Sequence, residues 1–403
     1  MANLIDIQTF NRIAPEGLEL LDQDHYTINE NTKPDAILLR SKDLHPISFN
    51  KDLIAISRAG AGVNNIPVEA CSEQGIVVMN TPGANANAVK ELIIAGLLMS
   101  ARPIYQGIKW LETLQGEDLS EQVEVKKNNF RGHEIAGKKL GVIGLGAIGS
   151  LVANDAYRLQ MDVVGYDPYV SVETAWSISS RVKKANTLQE ALQESDYISL
   201  HIPVNGSTNG FVDFEFLTQM KRGAVLLNFS RNELVVKEDV LRALDEGHLS
   251  RYVTDFATKE YLEHKKILVF PHLGASTEEA EVNCSIMAVK NLKYFFETGN
   301  IAHSVNFPTI EMPLQQGTRI TVINRNVPNM VGQMSAILAK NFVNIENIVN
   351  RSRGNFAYTI IDIANINDSL LSNIVANVRE IEGVLKTRVI KRKQENYGKD
   401  QTF

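Results

Sequence analysis

The stretch Gly141-Val-Ile-Gly144-Leu-Gly146-Ala-Ile-Gly149 decides the reading of this chain. It holds Gly-x-Gly-x-x-Gly at Gly144, Gly146 and Gly149. An apolar strand, Leu140 to Ile143, precedes it. An amphipathic helix follows, with Ile148, Leu151, Val152, Ala156 and Leu159 on one face. A second strand, Val163 to Tyr166, ends at Asp167, 18 residues after Gly149. Strand, glycine turn, helix, strand and acid together make a complete dinucleotide-binding unit. Gly144 permits the tight turn out of the strand. Gly146, without a side chain, lets a pyrophosphate approach the backbone, and Gly149 lets helix and strand pack closely. Ala147 and Ile148 open the helix, whose N-terminus offers free N–H groups and partial positive charge to phosphate. Asp167 is placed to accept from both ribose hydroxyls and to repel a 2′-phosphate. Pro168 and Tyr169 follow it with no Arg to hold that phosphate, so the implied cofactor is NAD, not NADP.

Around this unit the pattern is α/β. Before it, the apolar strands Ala36–Leu39, Leu53–Ile56 and Ile76–Met79 are punctuated by Gly60, Gly62, Asn64-Asn65 and Pro82-Gly83, as in a parallel sheet. Residues 86 to 101 predict a long connecting helix. The strands Leu140–Ile143, Val163–Tyr166, Tyr197–Ile202, Ala224–Phe229, Tyr252–Asp255 and Ile267–Phe270, separated by helical stretches, predict a doubly wound sheet. A helix over Thr277–Thr298 would return to the first domain and make it discontinuous. Pro308, Pro313, two Gln and Gly317 mark residues 306–317 as a linker that lets the tail move. Beyond it the order strand, helix, strand, strand, helix, strand predicts a small ferredoxin-like βαββαβ domain.

The totals agree with a multidomain globular protein. The 403 residues are 44% apolar and 22% charged, with a formal net charge of −6 and no Lys/Arg-dense face, which argues against nucleic acid. Lys391-Arg-Lys393 is a short run near the C-terminus. Cys71 and Cys284 are far apart, without metal-ligand spacing, which points to a reducing compartment and no metal site. The longest apolar run, Leu92 to Met99, is too short to span a bilayer. The N-terminal residues carry no basic start or apolar core of a signal segment. The expectation is a cytoplasmic protein that neither spans nor binds a membrane.

Hydride transfer between a 2-hydroxy acid and NAD needs a base for the hydroxyl proton and a cation for the carboxylate. In such folds these groups belong at the carboxyl ends of the sheet strands. Arg231 follows the strand Ala224–Phe229. Asp255 ends the next strand, with Glu260 five residues on. His272 ends the last, in Pro271-His-Leu-Gly-Ala-Ser276. His272 would be the acid/base, Glu260 would hold its other ring nitrogen, and Arg231 would bind the substrate carboxylate bidentately. His201, in His201-Ile-Pro203, sits at a strand end and lines the cofactor cleft.

On these residues the chain resembles the D-isomer-specific 2-hydroxyacid dehydrogenases, and within them the branch acting on 3-phosphoglycerate. The matching stretches are Arg58-Ala-Gly-Ala-Gly-Val-Asn-Asn65, Gly75-Ile-Val-Val-Met-Asn-Thr-Pro82, Gly141 to Gly149, His201-Ile-Pro203, Asn228 to Arg231 and Pro271 to Ser276. The tail is similar to an ACT regulatory domain at Asn324-Arg-Asn-Val-Pro-Asn329 and Asn344-Ile345. The resemblance implies a flavodoxin-like substrate domain over residues 1–87 and 276–305, a Rossmann NAD domain over 88–275, and an ACT domain over 318–395. It implies oxidation of 3-phosphoglycerate to 3-phosphohydroxypyruvate with NAD, the first step of L-serine synthesis, by a homodimer or homotetramer. Carried over position by position, Arg231, Glu260 and His272 match the catalytic Arg, Glu and His. Ala147, Ile148, Asp167, Phe229, Ser230, Asp255 and His272 to Ala275, with Gly274 among them, match positions lining the cofactor. Arg58 to Gly62, including Ala61, match the substrate loop, and Asn85 counts with them. Arg40 matches an arginine near the phosphate. In the tail Asn326 and Asn344 match asparagines that contact L-serine as effector.

Two departures stand out. The family reads Asp-Val-Phe-x-x-Glu-Pro where this chain has Asp255-Phe-Ala-Thr-Lys-Glu260-Tyr. Counting from Asp255 puts Glu260 in register, and counting from Phe256 puts Lys259 there. Asn324 stands where serine-inhibited relatives carry His. Two other readings of the same residues remain open: a dehydrogenase of an unphosphorylated acid such as glyoxylate, hydroxypyruvate or 2-hydroxyglutarate, and an NAD-sensing corepressor-like protein on the same scaffold.

Overall fold

The structure is a computed structural model that describes residues 4–314 and 317–391. Gln315 and Gln316 of the expected linker, and the tail from residue 392 on, lie outside the described residues. The chain forms two compact units, one from residues up to Ala84 and from Glu281 onward, the other from Asn85 to Ala280.

The first unit begins with a five-stranded parallel sheet in the order β2-β1-β3-β4-β5, the flavodoxin-like winding. Its strands are β1 (Ile5–Phe10), β2 (Tyr26–Ile28), β3 (Ala36–Leu39), β4 (Ala55–Arg58) and β5 (Val77–Met79). Every residue of β3 and β5 is buried, as in a parallel sheet covered on both faces. Strands β1 and β2 go beyond those read from sequence. Their edge is held by Asp6, 1% exposed, which accepts from Thr27 Oγ1 and from the backbone N–H groups of Glu30 and Asn31.

The second unit is a seven-stranded parallel sheet in the order β12-β11-β10-β9-β6-β7-β8. Its strands are β6 (Lys139–Ile143), β7 (Asp162–Tyr166), β8 (Lys183–Lys184), β9 (Tyr197–Leu200), β10 (Ala224–Asn228), β11 (Leu249–Thr254) and β12 (Ile267–Val269). The strand order reverses between β6 and β9. Their carboxyl ends diverge there and open the crevice in which such sheets bind ligands. The helices Ala86–Ala101 and Ala147–Arg158 cover one face, with Val89, Ile93, Leu97, Val152, Ala153 and Ala156 in its core.

The tail folds as read, into a four-stranded antiparallel sheet in the order β14-β15-β13-β16. Its strands are β13 (Thr318–Arg325), β14 (Ile345–Arg353), β15 (Phe356–Ile363) and β16 (Val384–Lys391). Period-2 alternation sends Ile320, Val322, Ile361 and Ile363 to one face. There they meet Met330, Met334 and Leu338 of one helix and Leu371, Ile374, Val375 and Val378 of another. The opposite face, with Ile323, Tyr358 and Ile360, shares a core with Ile7, Leu38, Val77 and Phe295 of the first sheet and its returning helix, Glu278–Thr298.

This corrects the expectation of a mobile linker. In residues 306–314, Phe307 and Ile310 are fully buried and Met312 is 6% exposed. Ile310 also bridges Ile301, and the Phe307 and Phe356 rings lie 5.9 Å apart. Burying one such side chain is worth about 1.5–3 kcal/mol, so the segment is a packed strap. Arg319, 1% exposed, completes the join. It grips Asp362 bidentately at 2.7 and 2.8 Å and donates to the carbonyls of Thr298, Met312 and Pro313. The prolines and glutamines suggested flexibility because the apolar residues between them are too few to show a period. Burial comes from partners far along the chain.

Candidate active site

The glycine loop has the geometry that its residues dictate. Gly144 lies at φ +90°, where an L side chain is strained, and a Cβ there would come within 2.7 Å of the His201 carbonyl oxygen. A Cβ on Gly149 would lie 2.0 Å from the Gly144 carbonyl oxygen. A Cβ on Gly146 would meet nothing within 4 Å, so that side of the loop is open. Gly146 caps the helix Ala147–Arg158, whose first N–H groups face this opening without a side-chain cap. Asp167 closes the turn: Oδ2 accepts from the Leu145 N–H and Oδ1 from the Tyr169 N–H, both at 2.8 Å. A tight turn, an open glycine and a helix N-terminus fit a dinucleotide's pyrophosphate. The half-buried carboxylate beside them fits a ribose diol.

At the end of β9, His201 is pushed down to about 3 by burial and is neutral. Its Nε2 lies 2.9 Å from Ser199 Oγ. Pro203, exposed, lends its carbonyl to Thr208 Oγ1. At the end of β10, Ser230 donates from Oγ to the Leu200 carbonyl, tying the two strand ends together. Phe229 is 8% exposed, sits 5.6 Å from the Phe270 ring and lies under Gly96. Its side chain is therefore part of the core at this strand end. Gly274 presses against Val89 of the helix Ala86–Ala101, and Asn85 is the residue at that helix's N-terminal end.

The acid turned toward His272 is Asp255. His272 Nδ1 lies 3.6 Å from Asp255 Oδ2, the histidine side chain 70% exposed and the carboxylate buried. The two rings of Phe256 and His272 are 5.5 Å apart. Burial raises the Asp255 carboxyl, with the charges of His272 and Arg231 pulling the other way, so the three form one electrostatic group. Asp255 Oδ1 is buried and has no hydrogen-bond partner. Arg231 is held locally by its own Nη1 on the Ser230 carbonyl and by Asn228 Nδ2 on the Arg231 carbonyl.

The expected contact between Glu260 and His272 is not made. Glu260 sits in the first turn of the helix Lys259–Glu263, which Thr258 caps. Its Oε1 lies 2.9 Å from Lys237 Nζ, and Lys237 holds its pKa at about 2. Lys259, the alternative register, is 84% exposed and faces Glu263. Nothing local in the sequence marked Lys237 as the partner of Glu260, since 23 residues separate them.

The first unit carries the remaining candidates. Arg58 ends β4 and donates from Nε to the Arg40 carbonyl and from Nη1 to the Gly62 carbonyl. Asn80 Nδ2 donates to the Ala61 carbonyl. The loop Arg58–Gly62 is thus braced by side chains from the neighbouring strand ends. Arg40 pairs with Glu281, a residue the sequence reading did not single out. In the tail, Asn326 is exposed and donates to the Gly354 carbonyl, and Asn344 is exposed. Asn324 is buried and its Oδ1 has no partner. Asn329 adopts φ +66°, the left-handed backbone that Asn tolerates well.

A parallel sheet with a glycine cradle at its switch point, and an Arg, an Asp and a His at successive strand ends, defines a dinucleotide-dependent dehydrogenase. Residues 94–274 match the D-isomer specific 2-hydroxyacid dehydrogenase, NAD binding domain family, and this match together with the relatives below supports an NAD-dependent D-2-hydroxyacid dehydrogenase. It is 29% identical over 350 residues to a D-3-phosphoglycerate dehydrogenase of Haemophilus influenzae, covering 84% of this chain and 81% of that one. To the D-3-phosphoglycerate dehydrogenase of Methanocaldococcus jannaschii it is 34% identical over 264 residues, 64% of this chain, and it spans 48% of that relative's length. The NAD+-bound 3-phosphoglycerate dehydrogenase of Entamoeba histolytica superposes with a TM-score of 0.59 at 26% identity, covering 75% of this chain and 99% of that one.

Proposed function

We propose that this chain oxidises 3-phospho-D-glycerate to 3-phosphohydroxypyruvate with NAD, the reaction that opens L-serine synthesis. The observation that carries the chemistry is His272 facing a buried acid beside Arg231 at neighbouring strand ends. Bound NAD supplies the hydride acceptor. His272 Nε2 takes the hydroxyl proton while Asp255 faces Nδ1 and stabilises the imidazolium that forms. Arg231 holds the substrate carboxylate and polarises the carbon that loses hydride. Arg40 and Arg58, with the braced loop Arg58–Gly62, take the phosphate. Asp167 sets the preference for NAD.

The protein works in the cytoplasm as a homodimer or homotetramer. No described helix is long and apolar enough to cross a membrane. The helices Ile104–Leu111 and Leu119–Lys126 have no buried residue and expose Ile104, Tyr105, Ile108, Leu111 and Leu119, a face that a second copy would cover. L-serine is the proposed effector of the tail at Asn326 and Asn344, weakened by Asn324.

The test is NADH formation with 3-phosphoglycerate, D-glycerate, D-lactate and 2-hydroxyglutarate. Turnover is expected to be highest with 3-phosphoglycerate, and His272→Ala is expected to lower kcat about 10²–10⁴-fold with NADH still bound. Preference for an unphosphorylated acid would move the substrate assignment. NADH formation from none of the four acids would favour the corepressor-like reading. A near wild-type rate in His272→Ala would take that residue out of the mechanism.

A further inference from the structure

Arg40 follows β3 and Arg58 ends β4 at the carboxyl edge of the first sheet, where Arg58 Nε donates to the Arg40 carbonyl. A third charge joins them from the other segment of the same unit. Glu281, in the first turns of the helix Glu278–Thr298, places Oε1 2.5 Å from Arg40 Nη1, with the two side chains 42% and 31% exposed. One turn further along, the buried Cys284 thiol is raised by burial, while Arg40 and Arg58 act to lower it and Glu281 to raise it. The four side chains therefore share one electrostatic neighbourhood.

A phosphate bears about 1.5–2 negative charges, and with Glu281 on Arg40 that arginine's positive charge is already matched by a carboxylate. We infer that Glu281 is a specificity-determining residue that competes with the substrate's phosphate for Arg40. An anion reaching Arg40 must displace the Glu281 carboxylate and then sit beside it. A dianion meets more repulsion there than a monoanion does. Glu281 thus weakens phosphate binding and narrows the advantage of phosphorylated over unphosphorylated acids. This rests on the reading of Arg40 and Arg58 as the phosphate arginines.

The experiment uses the full chain with Glu281→Gln, which keeps the shape and removes the charge, and Glu281→Asp, which keeps the charge. Two quantities are read: KM for 3-phosphoglycerate, and the Kd of inorganic phosphate by calorimetry. Glu281→Gln is expected to lower both by about fivefold, the upper range of one partly exposed ion pair. Glu281→Asp is expected to stay near the parent. In an Arg40→Ala background Glu281→Gln is expected to change neither quantity. A merely structural role would not tighten binding. If Glu281→Gln raises both constants or leaves both unchanged while 3-phosphoglycerate is turned over, the inference falls and the proposed function stands. If 3-phosphoglycerate is not turned over but Glu281→Gln still tightens phosphate, the proposed function falls and the inference stands.

Discussion

The turn from Gly144 to Gly149 and the docked tail sheet are two joints held in contrasting ways. The turn is closed from within one strand–helix–strand unit: the Gly144 carbonyl lies against Gly149, and Asp167, just past the next strand, accepts from Leu145 and Tyr169. The tail is closed by partners from three segments, since Arg319 draws on Thr298, Met312 and Pro313 as well as Asp362. In the turn, constraint comes from having no side chain. In the tail it comes from a long side chain whose donors meet acceptors supplied by the fold. The first joint leaves an open face for a ligand, and the second leaves none. A site for exchange with solvent is thus built locally on a rigid strand end, whereas a permanent seam is built from distant parts.

The largest expected effect tests the seam. Arg319→Ala leaves Asp362 and several carbonyls buried without partners, and should cost about 3–5 kcal/mol in denaturant unfolding. Adding Asp362→Ala should recover part of that loss. If Arg319→Ala unfolds at the parent midpoint, the tail is held by apolar packing alone and the contrast between the joints disappears.

A smaller effect is expected in the turn. Gly149→Ala sets a methyl against the Gly144 carbonyl and should cost about 1–3 kcal/mol as the backbone shifts. Gly146→Ala adds a methyl that touches nothing in the protein, so it should weaken NADH binding in a fluorescence titration while moving the unfolding midpoint little. Equal behaviour of the two variants would mean that the turn is looser than its contacts indicate.

The smallest effect concerns Asp167, which serves the turn and, in the proposed function, also meets the cofactor's ribose. The enzyme should prefer NAD to NADP by at least about tenfold in kcat/KM, through repulsion of a 2′-phosphate worth on the order of 1–3 kcal/mol. Asp167→Asn should narrow that ratio. Comparable kcat/KM for both cofactors would leave Asp167 with the turn alone.

The sequence by itself determined the two parallel sheets, the ferredoxin-like tail and the glycine cradle. Each rests on a period or a turn that local sterics enforce: period 2 in the strands, 3.6 in the helices, and a positive φ at Gly144. It also brought Arg231, Asp255 and His272 to strand ends, because strand boundaries follow from the same patterns. Only the tertiary structure decided which acid meets which base. Asp255 rather than Glu260 faces His272, Glu260 is taken by Lys237, and Arg40 by Glu281. The fate of residues 306–314 was likewise tertiary: proline reads as a break in any window, and only Phe295 and Phe356 across the fold make Phe307 a core residue. Ion pairs and shared cores join residues tens to hundreds of positions apart. A chain carries no periodic mark of a distant partner, so these choices appear only when the packed structure brings the partners together.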